Sequence, residues 1–183
     1  MPAYPIEPDK LLDAADRLAP AETGPGRPPY TAHRRAVSTA YYAVFHAIGG
    51  RVVETRLRPP TSRFASVRRW IGHSDVRAVA RWIGQLQGTS GGAPPAHIRA
   101  LLAPSGGPAH IDADTATIAD VFLELNDKRE LADYDHEAVF TRPDTRGHIA
   151  LARQVVLVVE QVRSDQSQRF FGLIAMQAQI RGR

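Results

Sequence analysis

The sequence predicts an all-α protein: an antiparallel four- to five-helix bundle with additional short helices and a C-terminal helical tail. Three observations lead there. Apolar residues recur at helical spacing in long stretches, as in Ile118, Val121, Phe122 and Leu125 at i, i+3, i+4 and i+7. No stretch alternates apolar and polar residues with the two-residue period of a half-buried strand. At 183 residues the chain is long enough to bury one sizeable core. We read residues 1–183 as one domain, with the bundle over 31–163, an N-terminal helix and loop over 1–30, and an amphipathic tail over 164–183.

Each element has its own signal. Pro8 at a first-turn position, followed by Leu11, Leu12, Ala15 and Leu18, predicts a short amphipathic helix ending at Pro20. Residues 20–29, rich in Pro and Gly, read as a loop. Thr31 is then placed to N-cap a long helix over 31–56. Val37, Tyr41, Val44 and Ile48 form its apolar stripe, while Arg35, Thr39, Tyr42 and His46 form a polar one. A lone histidine on a helix is usually structural; a row of Arg, Thr, Tyr and His can line a groove. Gly49-Gly50 either bends this helix or admits a close neighbour.

Residues 57–60 (Leu-Arg-Pro-Pro) break the chain, and two short helices are expected at 61–71 and 74–86. Arg68-Arg-Trp-Ile-Gly72 echoes Ala80-Arg-Trp-Ile-Gly84; two copies make no solenoid, but the pair also fits a helix-turn-helix. The stretch 87–110 is loop-rich, with helical turns at His97–Leu102. Asp112 or Asp114 caps the next helix, which carries Arg129 and frays near Tyr134–His136. Thr141-Arg-Pro-Asp144 turns into the last long helix, about 144–164. Taken alone, its Val155–Val159 run also fits a buried strand, but the flanking context favours helix. Phe170, Phe171, Leu173, Ile174 and Met176 mark a tail that docks on the bundle or meets another chain.

The composition, 43% hydrophobic and 23% charged, is that of an ordinary soluble globule. No apolar run approaches the length of a membrane span, and the opening Met-Pro-Ala-Tyr-Pro carries no basic-then-apolar leader. The expectation is a cytoplasmic protein with no membrane contact. The absence of cysteine removes disulfides, thiolate zinc sites and cysteine nucleophiles together. Of the 23 basic residues only Lys10 and Lys128 are lysines, leaving 21 arginines. Coding bias produces such a ratio, and so does phosphate recognition, since the planar guanidinium binds oxyanions bidentately. No acidic residue falls between Glu54 and Asp75, where Arg56, Arg58, Arg63, Arg68, Arg69 and Trp70 lie. That patch fits a nucleic-acid backbone or a solvated helix face.

Extending the stripe of Leu125 by one turn lands on Arg129, then Ala132, then His136. A charge on a core-facing stripe costs about 3 kcal/mol or more unless it is paired or the stripe opens onto a cleft. On a continuous helix Arg129 and His136 share a face, about 10 Å apart along the axis. The plain alternative is an Arg129–Asp133 ion pair at i, i+4, with His136 capping the helix. There is no phosphate-cradling Gly-rich loop, no His-Glu-x-x-His and no paired acid motif, so neither metal nor cofactor is expected. What remains is Arg129, Asp133, Tyr134 and His136, faced by Tyr42 and His46. An imidazole that moves protons and a guanidinium that stabilises phosphoryl charge suit metal-independent RNA cleavage, and equally the binding of a nucleotide phosphate.

Three phrases resemble the HEPN family of small helical bundles. Ala40-Tyr-Tyr-Ala-Val-Phe-His-Ala47 resembles its Ala-Tyr-Tyr-Ala-x-Phe-His-Ala helix, Gly72-His-Ser-Asp-Val76 its His-Ser-Gly-Val phrase, and Arg129-Glu-Leu-Ala-Asp-Tyr-Asp135 its Arg-x-x-Ala-Asp-Tyr segment. The likeness spans roughly 31–163. It implies a bundle that often dimerises, with an Arg-x4–6-His motif near the dimer interface, here Arg129 and His136. In catalysis His136 would be general base or acid and Arg129 would stabilise the phosphorane-like transition state. Asp133 would orient Arg129, and Tyr134 would contact phosphate or base. Where nuclease members commonly carry Asn, His or Asp after the arginine, this chain has Glu130, which repels phosphate if it faces the site. The resemblance thus implies a toxin–antitoxin or phage-defence ribonuclease, or a non-catalytic module binding a nucleotide, a nucleotidyltransferase or an antitoxin. A DNA-binding or structural bundle resting on Arg56–Trp70 is the third reading.

Overall fold

A computed structural model describes residues 6–20, 30–59, 63–102 and 111–181. Among these are eight α-helices: α1 (Pro8–Leu18), α2 (Tyr30–Val52), α3 (Phe64–Arg68), α4 (His73–Gln87), α5 (Ala96–Leu102), α6 (Ala113–Tyr134), α7 (Arg142–Gln161) and α8 (Asp165–Arg181). The described residues contain no strand, so the protein is an all-α helical bundle. Parts of the predicted loops, at 21–29 and 103–110, and the predicted start of the third helix at 61–62 lie outside the described residues.

α2 is the central post, packed against α1, α6 and α7, while α4 leans on α6. Its predicted apolar stripe (Val37, Tyr41, Val44, Ile48) is wholly inaccessible to solvent. α2 begins at Tyr30, so Thr31 lies within the first turn rather than capping it. At its other end the helix widens into a π-helical turn, Val53–Leu57, closed by Arg58 in the left-handed region (φ 41°). A Cβ on Gly49 would sit 3.0 Å from Arg68 Nη2, so this glycine admits a guanidinium.

Of the two caps offered for α6, Asp112 and Asp114, it is Asp112 that acts. Asp112 Oδ1 accepts the Thr115 N–H at 2.8 Å to start α6, and Thr141 and Asp144 exchange bonds to start α7. Gly88 ends α4 at φ 78°. Val155–Val159 is helical, and α8 docks on the bundle, with Phe170, Phe171 and Ile174 fully buried and Met176 exposed.

Arginines do much of the stitching. Arg34 bonds the carbonyls of Leu131 and Ala132 at the end of α6, Arg51 and Arg163 bond Val162 O after α7, Arg169 bonds Leu101 O in α5, and Arg146 bonds Ala19 O after α1. Helix ends leave carbonyls without partners and carry partial negative charge, so a guanidinium from a neighbouring helix satisfies both needs.

Candidate functional site

α6 brings Arg129 to the interior edge of the bundle opposite Tyr42 of α2. Its guanidinium Nε lies 2.8 Å from Asp133 Oδ2, and Nη2 donates to the Tyr42 hydroxyl at 3.3 Å. Its Cζ stands 5.4 Å from the Tyr134 ring centroid, 5.8 Å from that of Tyr42 and 5.9 Å from that of Tyr41. Ser38 Oγ donates to the same oxygen, Asp133 Oδ2, at 3.4 Å. A charge on an apolar stripe is thus tolerated because it is paired, flanked by rings and open to a cleft.

That cleft has a volume of about 490 Å³ and is lined by Thr31, Arg34, Arg35, Ser38, Tyr42, Arg129, Ala132, Asp133 and Tyr134. Three arginines and one carboxylate line it, together with hydroxyl-bearing Thr31, Ser38, Tyr42 and Tyr134. Glu130 is not part of it: its Oε1 receives Arg77 Nη1 of α4 and Asn126 Nδ2, each at 3.1 Å. The helix turns that carboxylate towards α4 and neutralises it there.

Behind the cleft residues of α2, α4 and α6 converge. Tyr41 Oη and His73 Nδ1 are 2.6 Å apart, and the Phe45 and His73 rings stack at 3.9 Å between centroids. Burial lowers the His73 pKa, with the Arg129 and Arg68 charges adding to it. Burial also lowers His46, to about 4, helped by Arg68 and His73. Burial raises the Tyr41 phenol above its usual range. Both imidazoles are therefore neutral at neutral pH, and the Tyr41 hydroxyl and His73 Nδ1 share a hydrogen bond whose donor is set by the imidazole tautomer.

The sequence-predicted residues divide accordingly. Arg129, Asp133, Tyr134 and Tyr42 meet in one cleft. His46 instead lines a second recess with Arg51, Glu54 and Glu160, so the polar stripe of α2 serves two surfaces; Thr39 spends its hydroxyl on Arg35 O. His136 is not on the Arg129 face of α6. The helix stops at Tyr134, Asp135 is extended and its Oδ1 accepts the Glu137 N–H at 2.9 Å, which leaves His136 exposed in a turn. Among the described residues no hydrogen bond, ion pair or ring contact joins it to Arg129. The basic patch also divides. Arg68 is buried at 8% exposure over the Phe45 ring and against Gly49, and Arg56 bonds Gln168 Oε1 at 2.7 Å to tie the π-turn to α8. Arg58, Arg63, Arg69 and Trp70 stay exposed.

Arg34, Arg35 and Ser38 as cleft residues, and His73 beside it, were not singled out as site residues from the sequence. For Arg35 and His73 a signal existed, in the polar stripe and in the second phrase; for Arg34 and Ser38 only the tertiary contact reveals the role. Among the described residues no group of three or more His, Asp or Glu is placed to hold a metal ion. Comparison with protein-family models, curated proteins and solved structures finds no match to this chain.

Proposed function

We propose that this protein is a HEPN-like helical bundle that takes a phosphate of RNA, or of a nucleotide, into the Arg129 cleft. The observation that carries this reading is the meeting of Arg34, Arg35 and Arg129 with a single carboxylate in a recess the size of a small-ligand pocket. Arg129 ion-pairs with Asp133 on its Nε side and donates one Nη to Tyr42, leaving Nη1 for an oxyanion, while Arg35 is exposed at the wall. Tyr134, 69% exposed at the rim, offers a ring face to a base. With Glu130 turned to Arg77, Asp133 is, among the described residues, the one acidic residue that lines the cleft, and it is paired with Arg129. Binding of a labelled single-stranded RNA should weaken steeply with salt and weaken further in Arg129→Met. Equal, salt-insensitive binding by both proteins would refute the reading.

A catalytic version is favoured by the exposure of His136, two residues beyond Tyr134. There His136 takes the proton of the 2′-hydroxyl, the 2′-oxygen bonds to phosphorus, and the P–O5′ bond breaks. The leaving 5′-oxygen takes a proton from water, His136 returns its own to solvent, and a 2′,3′-cyclic phosphate remains, with Arg129 stabilising the charge on phosphorus. Cleavage in EDTA that survives Arg129→Ala unchanged, or that never exceeds background, discards this version and leaves the binding module. Leu131, Tyr134 and Val139, exposed beside the cleft, suit a second copy, a nucleotidyltransferase or an antitoxin as partner.

A further inference from the structure

We infer that Arg34 is a positioning residue: its guanidinium clips the turn that carries His136 to the wall that carries Arg129. This rests on the phosphate-binding reading and adds to it how the mouth of the cleft is built. Arg34 Nε donates to Ala132 O at 2.7 Å and Nη2 to Leu131 O at 3.1 Å, while Nη1 reaches Ala138 O at 3.2 Å and the Tyr30 hydroxyl at 3.0 Å. Two of these carbonyls precede the turn and one follows it. One rigid fork therefore closes a loop with His136 near its tip.

Only a guanidinium suits the task, because its three nitrogens present donors in fixed, coplanar directions; an ammonium has one nitrogen on a flexible stem. On the far side Val37, Ala132 and Phe140 form a small buried cluster of their own, with Ala138 packed against it. The Asp135 side chain shapes the tip by accepting the Glu137 N–H. The Cα of His136 lies within about 7 Å of that of Ala138, the reach of two residues. Ala138 is itself bonded to a guanidinium that lines the cleft. The imidazole is thus tethered near the mouth while remaining exposed. With four of its five N–H groups given to three carbonyls and the Tyr30 hydroxyl, Arg34 supplies positive field to the cleft and leaves most contact with a ligand to Arg129 and Arg35.

The test is NMR on the full chain with inorganic pyrophosphate as probe. In Arg34→Lys, which keeps the charge, helical circular dichroism should persist. Order parameters of the 135–137 amides should fall from about 0.85 to below about 0.6. The pyrophosphate-induced shift of the His136 ring should shrink several-fold, while the Arg129 Nε–H signal still responds. Guanidinium ion added to Arg34→Ala should restore part of the His136 response, which general destabilisation would not allow. Unchanged order at 135–137 and an unchanged His136 response in Arg34→Lys would overturn the inference. Wild-type protein that ignores pyrophosphate, yet loses order at 135–137 on Arg34→Lys, would refute phosphate binding and leave the clip standing. Should Arg34→Lys fail to fold, hydrogen exchange at Arg34 Nε–H in the wild type decides: slow exchange supports the clip and free-solution exchange refutes it.

Discussion

Replacing Arg129 by methionine separates what the guanidinium does for stability from what it does for a ligand. Methionine keeps most of the apolar stem in place against Tyr41 and Tyr42, so the loss is confined to the charged head. That head pairs with Asp133 at 2.8 Å, and both side chains are largely shielded, at 19% and 22% exposure. Leaving a partly buried carboxylate without its partner costs about 1–3 kcal/mol, and loss of the flanking cation–π contacts adds about 0.5–1. We expect a destabilisation of about 2 kcal/mol in urea unfolding, or a fall in Tm of roughly 4–8 °C for a chain of this size. The double variant Arg129→Met/Asp133→Asn should recover about 1 kcal/mol of that, because the stranded carboxylate is gone. It should recover none of the anion binding. Loss of one charge-assisted guanidinium–phosphate hydrogen bond, about 1.5–3 kcal/mol, weakens affinity roughly 10- to 150-fold. Fluorescence anisotropy with labelled RNA and urea titration followed at 222 nm read the two effects separately. A double variant no more stable than the single one would refute the account of why Arg129 is held here. A single variant binding as tightly as wild type would refute its assignment to the ligand.

Three further outcomes follow from the same contacts. Glu130→Gln should leave RNA affinity within about twofold and cost less than about 1 kcal/mol, since the partly exposed Arg77 pair faces α4; a several-fold gain in affinity would place Glu130 in the cleft after all. Gly49→Ala puts a methyl group 3.0 Å from Arg68 Nη2 and should destabilise by about 1–2 kcal/mol in thermal unfolding, whereas an unchanged Tm would mean the guanidinium yields freely. His46, held at about 4 by burial, takes up its proton more readily in the unfolded chain. Its contribution is therefore complete above pH 6.5, declines as pH falls and is lost once pH passes below about 4. Urea midpoints measured across that range should fall less steeply in His46→Gln, and identical slopes would contradict the assignment.

Periodicity and cap chemistry made most of the architecture legible. The apolar stripes of α2 and α6, Asp112 as a cap, the turn at Thr141–Asp144 and the helical reading of Val155–Val159 all rest on interactions among residues close in sequence, and such interactions are written locally. The same locality exposed Arg129 as a charge where an aliphatic group belongs. Extrapolation failed where distant residues compete for the backbone. Continuing the stripe to His136 assumed an unbroken helix, but Arg34, nearly a hundred residues away, takes the last carbonyls and Asp135 turns the chain. Reading Arg68 as surface charge assumed that guanidiniums stay in water, but a glycine and a phenyl ring gave it an interior seat. Composition likewise showed an excess of arginine without its employment, part of which is the bonding of carbonyls in helices remote in sequence. What the chain determined by itself is the set of helices and the oddity of Arg129. Which charges share a cleft with it, and which are spent on carbonyls or carboxylates elsewhere, was decided only by packing, because a charge settles wherever the folded neighbours best replace the water it leaves.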